Sequence, residues 1–77
     1  MVHAFIMVET DVGAAESTLD AVRSLRNVTE AHIVAGTYDL IAEASAEAVY
    51  ELLNTSAGGI QGLDGVTDTK TYISMDE

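Results

Sequence analysis

Seventy-seven residues carry thirteen Asp and Glu against three Lys and Arg, a formal net charge of −10, in a chain that is 48% hydrophobic and lacks Cys, Pro and Trp. The length suits one small domain and the apolar fraction excludes a disordered chain. No apolar run approaches the roughly 18 residues of a membrane span, no basic leader precedes an apolar stretch, and no thiol chemistry is available, which together point to the cytoplasm.

The opening stretch His3-Ala4-Phe5-Ile6-Met7-Val8 is almost continuously apolar and predicts a strand buried on both faces. Thr10-Asp11-Val12-Gly13 reads as a loop with helix-capping residues. From Ala14 to Leu25, Ala15, Leu19, Val22 and Leu25 recur at helical spacing, and Arg23 and Arg26 sit where the helix dipole favours cations. Val28 to Ala35 is a second strand, Gly36-Thr37-Tyr38-Asp39 a turn, and Leu40 to Ala44 a third strand, so these form a hairpin.

Ser45 is the expected N-cap of a helix starting near Ala46, with Val49, Leu52, Leu53 and Ile60 inward and Tyr50 packing beside Leu53. Gly58-Gly59 weakens the end of that helix by up to about 1 kcal/mol per glycine. Asp64-Gly65 turns the chain into a last strand, Val66 to Ser74. Val28-Thr29-Glu30-Ala31 and Val66-Thr67-Asp68-Thr69 resemble one another, each following a helix. The order is thus strand–helix–strand twice, which predicts an α+β, ferredoxin-like βαββαβ sandwich with both helices on one face of an antiparallel sheet. A chain this short buries only about 60% of its unfolded surface, and with no disulfide available a second copy is expected over the open sheet face.

Three cations cannot form a basic groove, so direct binding to nucleic acid or to an anionic membrane is excluded. The acidic excess has two readings, an acidic surface for a basic partner or adaptation to concentrated salt, where the Debye length falls to about 3 Å at 1 M. Few lysines, acids spread along the chain, and the i, i+4 like-charge pairs Glu16/Asp20 and Glu47/Glu51 favour the second.

His3 and His32 lack metal-ligand spacing and read as packed or surface histidines, so no metal or cofactor is expected. Asp39, Glu43, Asp64 and Asp68 are candidate carboxylates only by abundance, and no nucleophile elbow, phosphate loop or paired-carboxylate spacing singles out an enzyme. The hairpin turn is more informative. Gly36 permits an unusual backbone angle or a close approach, Tyr38 offers a ring with a polar tip, and Asp39 can accept from backbone or from a ligand ammonium. Thr69 and Thr71, two apart on the last strand, point their hydroxyls to one face. A hydroxyl pair with a carboxylate can hold a small zwitterion.

The run Val28-Thr29-Glu30-Ala31-His32-Ile33-Val34-Ala35-Gly36-Thr37-Tyr38-Asp39-Leu40-Ile41 resembles the signature of the leucine-responsive regulatory protein (Lrp)/AsnC effector domain, and Leu63-Asp64-Gly65-Val66 with Thr69 and Thr71 resembles its closing strand. The resemblance covers essentially the whole chain. It implies a ferredoxin-like fold that dimerises through its sheets, with dimers associating into octameric or decameric rings. It also implies amino-acid binding in clefts between dimers, with Gly36, Tyr38, Asp39, Thr69 and Thr71 as ligand-binding residues. The family's helix-turn-helix DNA-binding domain has no counterpart in residues 1–77, so a single stand-alone effector domain is expected. Gly58-Gly59 departs from the family's helix at that position.

The leading expectation is a non-catalytic, homo-oligomeric amino-acid-sensing module acting on transcription indirectly, through a full-length regulator of the same family. The alternatives are a ligand-free structural interaction module pairing with such a regulator, and a small dimeric α+β-barrel enzyme with a cavity lined by His3 or His32.

Overall fold

The computed structural model describes residues 1–76. In chain order the elements are β1 (Val2–Thr10), α1 (Ala15–Arg23), β2 (Val28–Ile33), β3 (Leu40–Ala46), α2 (Val49–Asn54) running on into a π-helical turn (Thr55–Ile60), and β4 (Val66–Ile73). The four strands form one sheet in the order β2-β3-β1-β4 with every neighbouring pair antiparallel, the ferredoxin-like α+β arrangement. Among the described residues no helix is long and apolar enough to cross a membrane.

Both helices lie on one sheet face, and the buried residues follow the strand period. Ala4, Ile6 and Val8 of β1 and Leu40, Ala42, Ala44 and Ala46 of β3 are buried beneath them. The run of alanines on β3 leaves room for the helices, which contribute Thr18 and Val22 from α1 and Leu52, Ser56 and Ile60 from α2 and the π turn. The other face carries His3, Phe5, Met7 and Tyr72, so β1 alternates within a single chain, where its apolar run predicted burial on both faces. The difference arises because only one face has helices to cover it.

The second half departs most from expectation. Ser45 is a strand residue whose hydroxyl meets His3 Nδ1 at 2.8 Å, because the alternating alanines carry β3 on to Ala46. The helix starts at Val49, and its cap is Ala48, whose N–H donates to Glu51 Oε1 at 3.1 Å. Glu47 therefore lies outside the helix and forms no helical pair with Glu51. Leu52 and Ile60 are buried as expected, but Val49, Leu53 and Tyr50 are exposed, since a helix as short as α2 cannot press three more side chains onto the sheet.

Past Asn54 the backbone widens into π geometry, with the Gln61 N–H donating to Ser56 O at 3.0 Å. Gly59 packs closely there: a Cβ would stand 3.3 Å from Leu25 Cδ1, so the Leu25 side chain would have to give by a few tenths of an ångström. Shorter offsets occur elsewhere. α1 ends at Arg23, whose guanidinium donates twice to Ala31 O (3.1 and 2.8 Å) and clamps the helix to β2. β2 stops at Ile33, where Val34 leaves the ladder.

The repeated Val-Thr-acid segment has a structural meaning. Both copies open a strand, β2 and β4, through a register shift that leaves one threonine extra. Thr29 Oγ1 donates to Glu43 O at 3.2 Å and Thr67 Oγ1 to Glu9 O at 3.1 Å, so each bulge is pinned to its neighbour strand in the same way.

Candidate functional site

The hairpin turn is fixed to the end of β1 rather than left to swing. Val34 N–H donates to Asp39 O and Asp39 N–H to Val8 O, each at 2.9 Å. The Asp39 carboxylate in turn accepts the Thr10 N–H at 2.8 Å and the Thr10 hydroxyl at 3.3 Å. One of its oxygens thus closes the fold, which leaves the other for anything arriving from outside. Tyr38 is half-buried and Gly36 exposed. Gly36 adopts no left-handed angle and has nothing within 4 Å of where a Cβ would stand, so neither use foreseen for that glycine is made within the chain.

Across β1 from the turn stands Thr69: Val8 pairs with Leu40 on one side and with Thr69 on the other. Thr69 and Thr71 share the helix-covered face, as the spacing predicts, but their hydroxyls already have partners. Thr69 Oγ1 accepts from Gln61 Nε2 at 2.7 Å, and Thr71 Oγ1 meets Ser56 Oγ at 2.5 Å. Ser56 belongs to the π turn and Gln61 is the residue that caps its end. Beside Thr69 lies a polar depression of about 230 Å³ lined by Gln61, Val66, Thr67, Asp68 and Thr69.

The predicted residues therefore fall into two groups. Thr69 lines the depression, while Gly36, Tyr38, Asp39 and Thr71 do not. Gln61 and Ser56 escaped notice in the sequence because only the widened turn brings them to the threonines. The remaining candidates do not converge: His3 is tied to Ser45, and His32 Nε2 lies 3.1 Å from Glu30 Oε1 on the open face. Among the described residues no group of three or more His, Asp or Glu could hold a metal ion.

An open-faced ferredoxin-like sheet with a fixed hairpin turn and a shallow polar depression is a small α+β domain with one sheet face and that depression exposed to other molecules. The chain belongs to the Lrp/AsnC ligand-binding-domain family, whose model matches residues 3–77. A crystal structure of a Thermus thermophilus protein is similar at 30% identity with a TM-score of 0.95, covering all of this chain and 96% of that one. Escherichia coli AsnC matches at 26% identity and a TM-score of 0.89, over 99% of this chain and 52% of its own, so the chain spans about half of that regulator. A Neisseria meningitidis transcriptional regulator solved with L-Met shares the fold at 19% identity and a TM-score of 0.84, over 99% of this chain and 51% of that one. A search of curated proteins finds no significant match. The family is one of non-enzymatic regulatory domains, and the matches lend no support to the small-enzyme or the ligand-free reading.

Proposed function

We propose that this chain is an amino-acid-sensing and oligomerisation domain whose binding sites are completed between subunits. The reading rests on the division just described: the Gly36–Asp39 turn and the Thr69 depression sit on neighbouring rungs, yet the turn does not line the depression of its own chain. A site using both takes the turn from one subunit and the Gln61–Thr69 wall from another. Gly36 suits that role because its exposed backbone leaves room for a close approach. The Neisseria relative solved with L-Met makes an amino acid the natural ligand class. Residues 1–77 act in this reading as one cytoplasmic effector unit, assembled through the open sheet face into dimers and then rings. Such a unit alters transcription through a full-length family regulator, since the net charge of −10 opposes direct contact with DNA.

Thermal-shift screening of the common amino acids in molar KCl tests sensing. At least one should raise the midpoint of the wild-type assembly, and neither Asp39→Asn nor Thr69→Val alone should respond. Mixed oligomers of the two variants should recover part of the response, because some sites then combine an intact turn with an intact wall. A wild-type assembly that no amino acid stabilises defeats the proposal. Failure of the mixture to recover defeats the shared site.

A further inference from the structure

At the opposite end of the sheet from the hairpin turn, a second depression of about 280 Å³ opens between the C-terminal end of α1 and the junction of α2 with the π turn. Its lining comes from two distant segments, Leu25, Arg26 and Asn27 on one side and Glu51, Asn54 and Thr55 on the other. Three features mark it. The first is Arg26. Of the chain's three cations, Arg23 is spent on Ala31 O and Lys70 lies on the open sheet face, whereas Arg26 makes no ion pair or side-chain hydrogen bond among the described residues. Arg23 and Lys70 also lack an acidic partner, so what distinguishes Arg26 is a guanidinium that lines a depression with none of its donors engaged among the described residues.

The second feature is a polar network that orders the floor. Asn27 Nδ2 donates to Thr55 Oγ1 at 3.1 Å, and that hydroxyl donates to Glu51 O at 3.0 Å. The third is Glu51 itself, half-buried, with one carboxylate oxygen taken by the Ala48 N–H and the other without a partner among the described residues. A guanidinium and a carboxylate thus line one small depression together with two amides and a hydroxyl, and the two charges are not paired with each other.

We infer that this depression is a second small-molecule site, separate from the proposed effector site, taking a compact zwitterion: its carboxylate on Arg26 and its ammonium on the free oxygen of Glu51. A net anion is disfavoured because the surrounding chain carries −10, whereas a zwitterion adds no net charge. The volume lies just below the range of sites for drug-sized ligands, which suits a molecule of a few heavy atoms. Guanidinium–carboxylate recognition gives the strongest hydrogen bonds such a surface can offer.

Amide NMR titration of the full chain with glycine, and separately with acetate and ethylammonium, tests this. Glycine should shift Leu25–Asn27 and Asn54–Thr55 saturably, and more tightly than either half-molecule. Arg26→Gln should weaken glycine at least tenfold. Glu51→Gln retains the acceptor for the Ala48 N–H, so the fold is preserved, but glycine should then bind no better than acetate. A chain whose glycine shifts are absent, unsaturable, unchanged in Arg26→Gln, or confined to the Gly36 and Thr69 end has no such site. Wild-type shifts that follow protein concentration rather than glycine would assign the surface to contact with another copy and also overturn the inference. The result is independent of whether the Thr69 depression binds anything, because the two sets of resonances do not overlap.

Discussion

The Asp39 carboxylate accepts the Thr10 N–H at 2.8 Å and so locks the hairpin turn onto the last residue of β1. A hydrogen bond to a charged, half-buried group contributes about 1.5–3 kcal/mol. Asp39→Ala should therefore lower stability by about that amount, while Asp39→Asn, which keeps an acceptor oxygen, should cost no more than about 1 kcal/mol. Urea denaturation of both variants measures this. Equal losses would mean that the oxygen at position 39 does not hold the turn. The comparison also matters for sensing, since a ligand response lost in Asp39→Asn at nearly unchanged stability reports on charge rather than on folding.

Gly65 and Thr18 meet beneath the loop that leads into β4. Gly65 has φ +91°, and a Cβ there would lie 3.0 Å from Ala14 Cβ and 3.1 Å from Thr18 Oγ1. Left-handed strain and overpacking together predict that Gly65→Ala destabilises by about 2–4 kcal/mol. Thr18 presents the opposite opportunity. Its hydroxyl is buried without a partner among the described residues, so Thr18→Val removes an uncompensated polar group at nearly constant volume. That variant should gain about 1 kcal/mol, a rise of roughly 4–8 °C for a domain of this size. A fall in the calorimetric midpoint would show that the hydroxyl has a partner after all.

Where sequence pattern and local chemistry agree, the fold is readable in advance. The β1 run, the Val22 stripe, the Asp64-Gly65 turn and the doubled Val-Thr-acid segment each specify an element, and together they determine the topology. Capping signals mislead at Ser45 because strand pairing with His3 outweighs a hydroxyl's preference for a helix start. Period over-reaches at Val49 and Leu53 because the covered stripe is narrow: Leu52, Ser56 and Ile60, each four residues on from the last, are buried, and the short helix leaves the flanking positions in solvent. The change of winding past Asn54 hides Gln61 and Ser56 as partners of the threonines. Tyr38, Asp39 and Thr69 stand out in the sequence as candidates through the turn pattern and the two-apart threonines. That the turn and the wall do not meet within one chain is a property of three-dimensional placement, and no spacing rule encodes it.

Phe5 and Tyr72 are direct cross-strand partners on the open face, and both are substantially exposed, at 40% and 57%. An aromatic pair left in water across the β1–β4 ladder is what a covering copy would bury, and it forms part of the proposed dimer contact. Phe5→Ser with Tyr72→Ser should shift the assembly towards monomer by at least tenfold in dissociation constant while leaving the helix-covered core intact. Sedimentation velocity in molar salt measures the shift. An unchanged oligomer would place the contact elsewhere on the chain.

The acidic surface makes a separate, quantitative demand. Glu16 and Asp20 stand one helical turn apart on α1, and Glu30 lies directly opposite Glu43 between β2 and β3. The only ion pair among the described residues is the exposed His32–Glu30 contact, so nothing within the chain offsets most of this repulsion. Each like-charge pair costs a few tenths of a kcal/mol in dilute buffer and nearly nothing once the Debye length shrinks to about 3 Å at 1 M salt. Relief of these two pairs, under about 1 kcal/mol together, should accordingly raise the thermal midpoint by roughly 2–6 °C between 0.1 and 2 M KCl. Glu43→Gln, which removes the cross-strand repulsion but keeps the His32–Glu30 contact, should raise the midpoint at low salt and leave it unchanged at high salt. The two-condition comparison isolates charge from the general stabilisation that concentrated salts give to buried apolar surface, because that effect acts equally on the variant. A variant that gains the same number of degrees in both conditions would trace the effect to packing around residue 43 and remove repulsion as its cause.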